Sequence, residues 1–138
     1  MIKKKRYLIT FIIVVGLGWM LNTNVEHERT FAFTLIDSVP VNSSIEPVAV
    51  LAKHERIEIS SMYVWRKAAP EAKKVIESPF GRFTSEDVGE FEIGKVGKSF
   101  TGRIELWIQR NYFMKPVIVW FDFVNGTLWR KGWGYGPG

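Results

Sequence analysis

Cysteine is absent from the 138 residues, which removes disulfide cross-links, thiolate nucleophiles and cysteine-ligated zinc together. Histidine is scarce. His27 and His54 have neither H-x-x-x-H nor H-E-x-x-H company, and each stands among charged neighbours, so both read as surface residues and no metal site is assigned. No G-x-S-x-G accompanies the many serines. VGKS at 96–99 matches the tail of a phosphate-binding loop, but Glu92 occupies the position of the first glycine, and the segment reads as a hairpin turn. No catalytic residue and no cofactor follow from these patterns.

A large excess of one charge is also missing. The net charge is +5, yet Lys3, Lys4, Lys5 and Arg6 carry four of those units, leaving fifteen cations against fourteen anions in the rest of the chain. A nearly neutral body lacks the electrostatic footprint for phosphates, which argues against nucleic-acid binding.

What is present begins with MIKKKRYLITFIIVVGLGWMLNTN, a cationic start followed by an apolar run from Tyr7 to Leu21. The run is about fifteen residues, nearer the hydrophobic stretch of a signal peptide than the roughly 20 of a comfortable span. No A-x-A follows it, so the sequence favours an uncleaved transmembrane signal anchor, with cleavage near Gly18 as the alternative. On that reading residues 7–21 engage the lipid bilayer in a single pass. The N-terminus is then cytoplasmic and the body extracytoplasmic, as expected of a bacterial cell-membrane protein. The expected division is 1–24 stub and anchor, 25–133 extracytoplasmic domain, 134–138 flexible tail.

Within the body, TFAFTLI at 30–36 reads as a short β-run and DSVPVNSS as a loop. Apolar 48–52 precedes RIEISSMYVW, whose alternation predicts a strand. AAPEAKKVIESP has helix chemistry: Pro70 suits a first helical position, Lys73 and Glu77 pair at i,i+4, and Ala72, Val75 and Ile76 form a stripe. VGEFEI, SFTGRIELWIQR, PVIVWFDFV and TLWRKGW then predict a four-strand antiparallel meander over 88–133, joined by GKVGK, NYFMK and the hairpin signal Asn125-Gly126. The expected fold class is α+β: an N-terminal transmembrane helix, then the meander with one short helix packed on it.

A two-residue turn at Asn125-Gly126 pairs Asp122 with Trp129, Phe121 with Arg130 and Trp120 with Lys131. Val119, Phe121, Phe123 and Leu128 then join Ile104, Leu106 and Ile108 as core. Trp120, Asp122, Trp129, Lys131 and Trp133 share the opposite face with Ile118, Trp107 and Arg103. Asp122 interrupts an otherwise apolar strand and needs a partner if buried. Such a mixture of aromatic planes, cations and one acid stacks sugars, holds peptides or forms a protein interface, while burial under a second layer is the plain alternative. The candidate ligand-binding residues are Trp107, Trp120, Asp122, Trp129, Lys131 and Trp133.

The functional expectation is a membrane-anchored extracytoplasmic binding or interaction protein, with an envelope polymer or a membrane protein as partner. Two alternatives accompany it: a small exported cell-wall hydrolase using Asp122 with an acid from Glu86, Asp87, Glu90 and Glu92, and a secreted antimicrobial or signalling protein if the N-terminus is cleaved.

Overall fold

The structure, a computed structural model, describes the backbone of residues 2–57, 59–108 and 115–136 and the side chains of residues 4–20, 29–57, 60–108 and 115–136. The chain forms two compact units, Met1–Phe31 and Ala32–Gly138. The side chain of His27 and most of the NYFMK connection lie outside the described residues.

Helix α1 (Ile2–Asp37) supplies the first unit, while its last turns belong to the second. No helix among the described residues is long and apolar enough to cross a membrane, which corrects the transmembrane and signal-anchor expectation. Thr10, Gly16 and Gly18 dilute an apolar run that is already short. Cations fill the helix before it, and Asn22, Asn24 and Glu26 continue the same helix after it.

The expected strand at 30–36 is helical. Its β-favouring phenylalanines and threonines are outweighed by Ala32, Leu35, Ile36 and Val39, which recur at i, i+3, i+4 and i+7 and are all buried. Helix α2 (Glu46–His54) was not foreseen; it places Pro47 in its first turn and Lys53 and His54 in its last, and buries Val48 and Ala52. The helix expected at AAPEAKKVIESP does not form. Residues 69–75 are irregular, with a turn at 70–71 and a bend at 73–74, and Ile76–Ser78 is a short strand, with Ile76 packed beside Trp65, Phe83 and Val124. A segment of under three turns relies on packing for its helicity, and this cluster draws Ile76 into the sheet instead.

Six strands, β1 (Ile59–Lys67), β2 (Ile76–Ser78), β3 (Gly81–Glu90), β4 (Gly102–Ile108), β5 (Val117–Val124) and β6 (Thr127–Tyr135), form an antiparallel half-barrel in the order β2-β3-β1-β4-β5-β6. This corrects the four-strand meander. β1 lies between β3 and β4, so GKVGK belongs to a crossover past β1, with a 3-10 turn at Ile93–Lys95, and not to a hairpin.

One sheet face carries the main core. Ile104, Leu106, Ile108, Val117, Val119, Phe121 and Phe123 alternate inward on β4 and β5 and are buried, as are Val39, Ile45 and Val48 of the helical layer. The β5–β6 turn is the expected Asn-Gly pair. Asn125 has φ 50° and Gly126 has φ 78°, and a β-carbon on Gly126 would strike the Lys98 carbonyl. Val124 pairs with Thr127 and Phe123 with Leu128, but Asp122 then pairs with Arg130. Trp129 is the extra residue of a β-bulge.

The bulge sends Lys131 to the helical face. Its ammonium donates to the carbonyls of Ile36 at 2.7 Å and Val39 at 2.8 Å, satisfying acceptors at the end of α1 where a cation also meets the negative end of the helix dipole. Replacing Lys131 with Met keeps the aliphatic stem and removes both bonds. The expected result is a loss of about 1–2 kcal/mol of unfolding free energy, read from a urea transition with unchanged slope; an unchanged midpoint would remove Lys131 from this role.

Candidate functional site

The other sheet face holds a charged row. Successive register pairs place Asp87, Tyr63, Arg103, Asp122 and Arg130 side by side across β3, β1, β4, β5 and β6. Asp122 is fully buried and accepts from both arginines: Arg103 Nε at 2.7 Å to Oδ1, Arg103 Nη2 at 3.0 Å to Oδ2, and Arg130 Nε at 2.6 Å to Oδ2. The first contact is a two-pronged arginine–carboxylate pair, the strongest common geometry for such groups.

Tryptophans back both cations. The Arg103 guanidinium lies 4.3 Å from the Trp120 ring centre, and that of Arg130 lies 4.3 Å from Trp129 and 5.8 Å from Trp120. Gly132 makes room for this, because it pairs with Trp120 across β5 and β6 and a β-carbon there would be driven into the indole. At one end Phe80, at the β2–β3 turn, meets Trp129 edge-on at 6.3 Å, and Trp65 stacks with Phe83 at 6.0 Å.

Between these groups lies a cavity of about 350 Å³ lined by Tyr63, Trp65, Ile76, Ser85, Arg103, Glu105 and Arg130. Ser85 on β3 and Arg130 on β6 are separated by three strands in the sheet order. They line one cavity because the sheet curls around this face. Burial raises the Glu105 carboxyl above its ordinary range, against the opposing pull of Arg103. Burial, then the Glu105 and Asp87 carboxylates, raise the Tyr63 phenol, which keeps it an O–H donor at neutral pH. Burial alone would lower the Arg103 value; its hydrogen bond and charge interaction with Asp122 raise it instead.

Of the six residues expected to bind ligand, four have the cavity face or its rim. None of the six lines the cavity itself: Trp120 and Asp122 hold its two arginines from the same sheet face, Trp107 pairs with Ile118 farther along, and Trp129 covers Arg130 at the end. The Trp107 indole N–H is buried with no hydrogen-bond partner among the described residues. Lys131 and Trp133 are on the opposite face: Lys131 holds the end of α1, and Trp133 meets Phe33 edge-on at 5.6 Å.

Tyr63, Trp65, Glu105 and Arg130 escaped the sequence reading. Of the acids considered beside Asp122, Glu86, Asp87 and Glu90 are exposed on β3 and Glu92 is exposed just beyond it; Asp87 shares the register row of Asp122, three strands away along the sheet.

No family model, no curated protein and no solved structure matches the chain.

Two measurements probe this network. Asp122→Asn leaves two guanidiniums facing a neutral amide; breaking a buried pair costs about 3–5 kcal/mol, and the partial exposure of both arginines places this case near 3. A urea midpoint within error of wild type would show that the network contributes nothing to stability. For Glu105 the folded state holds its proton more tightly than the unfolded chain. The stability this confers is present below the unfolded carboxyl range and is lost as pH rises through the folded value. Glu105→Gln is therefore expected to gain on wild type as pH is raised from about 4 to 8; a wild type that gains on the variant over that interval would reverse the sign.

Proposed function

We propose that the Ala32–Gly138 unit is a non-enzymatic binding module that takes its ligand into the curled face of the sheet. The observation that carries this reading is the cavity wall formed by Arg103 and Arg130, whose guanidiniums are fixed by one buried carboxylate and backed by tryptophan rings. Donors held in place before a ligand arrives lose little side-chain freedom on binding, which is the main cost of recognition by long cationic side chains.

The role of Asp122 supports binding over hydrolysis. Both of its oxygens accept from guanidinium groups, so it acts as the anchor of two cations. A hydrolytic reading would rest on Glu105, a carboxyl raised by burial in the cavity, whose acid neighbours are the arginine-bound Asp122 and the exposed Asp87. Binding asks less of the site and uses more of its residues. The proposal concerns this unit and holds wherever residues 1–31 direct the protein.

The test is agnostic about the ligand. Nitrogen-15 spectra of the full chain are recorded against a fragment panel of small anions, cations, zwitterions and sugars. At least one fragment is expected to move the Trp120 indole and the Arg103 and Arg130 Nε–H resonances together, by saturable shifts. If no fragment moves them, the cavity is only the interior of the half-barrel and the binding reading fails.

A further inference from the structure

We propose that the ligand of this cavity is a small zwitterion of the amino acid or short-peptide class, its carboxylate on Arg130 and Arg103 and its ammonium on Glu105. This rests on the binding reading above and adds to it the chemistry of the ligand.

Charge balance makes the first case. The two guanidiniums that line the cavity stand against the Asp122 that anchors them and an ionised Glu105, a balance of zero, with the exposed Asp87 of the same row outside the lining. A ligand carrying one charge of each sign enters such a site with neither left unpaired. A dianion such as phosphate would meet two carboxylates, and a simple cation would meet two guanidiniums.

Donor geometry makes the second case. Arg130 gives only its Nε–H to Asp122 among the described residues, so its terminal nitrogens retain the planar fork that matches a carboxylate. Arg103 spends Nε and one terminal nitrogen on Asp122 and contributes charge and its other terminal nitrogen. On β4, two residues beyond Arg103, Glu105 accepts, and the Ser85 and Tyr63 hydroxyls line the same cavity. An ammonium placed there would join the Tyr63 phenol and the Arg103 guanidinium as partners of this half-buried carboxylate.

Size makes the third. About 350 Å³ is at the low end of the roughly 300–1,000 Å³ found for small-ligand sites. Trp65 and Ile76 supply an apolar wall for a small side chain, and a long polymer would leave most of its length outside.

The experiment is calorimetric titration of the full chain with glycine, β-alanine and alanylalanine, and with N-acetyl-alanylalanine, alanylalanine amide and inorganic phosphate. At least one zwitterion is expected to bind, and for alanylalanine each cap weakens binding about tenfold or more. Glu105→Gln is expected to weaken the free dipeptide while leaving the acetylated form unchanged; Arg130→Lys is expected to weaken the free and acetylated forms together. Equal binding of capped and free dipeptide, tighter binding of phosphate, or no binding of any zwitterion overturns the assignment. If other fragments still move the Trp120 and arginine resonances, only the ligand class is wrong. If none does, the binding reading falls with it.

Discussion

The Asp122 carboxylate, held between Arg103 and Arg130, is the contact on which the cavity face of the sheet depends. It joins β4, β5 and β6 through side chains as well as through the backbone ladder. A fully buried carboxylate is costly unless its oxygens are satisfied, and here both are. The same contact fixes the two arginines that wall the cavity, so one arrangement serves stability and preorganisation together. Trp120 and Trp129 complete it by covering the flat sides of the guanidiniums, surfaces that water hydrates weakly.

The half-barrel needs both of its faces. On the helical side, the end of α1 and α2 accompany the apolar rows of β4 and β5, and this layer excludes water from Phe121 and Phe123. On the curled side, Trp65, Phe83, Val124, Ile76 and Trp129 close one end, and the polar row begins where that cluster stops. An apolar plug beneath a polar wall suits a ligand with charged ends and a small body, because the plug keeps water from competing for the guanidinium donors.

Much of the sheet was legible because SFTGRIELWIQR alternates, PVIVWFDFV is a short apolar run, and Asn125-Gly126 marks the turn that follows. What failed depended on distant partners. Whether TFAFTLI becomes strand or helix is decided by what Leu35 and Ile36 meet, and whether Ile76 closes a helix or opens a strand is decided by Trp65 and Phe83. The insertion of β1 between β3 and β4 leaves no local mark. The membrane anchor rested on a charge pattern joined to a short apolar run, two features that do not add up to a spanning length. The sheet face of Trp107, Trp120 and Asp122 was legible from strand alternation, whereas Lys131 and Trp133 fall on the other face because of a single uncounted residue.

That residue, Trp129, has a mechanical consequence. Consecutive cations on a strand face opposite layers, and the bulge decides which faces which: Arg130 enters the cavity and Lys131 grips the end of α1. Were Trp129 taken into regular pairing opposite Asp122, Arg130 would fall opposite Phe121 and Lys131 opposite Trp120, presenting an ammonium to the cavity face and a guanidinium to the helix. One bulged residue thus sets both the lining of the cavity and the seat of the end of α1.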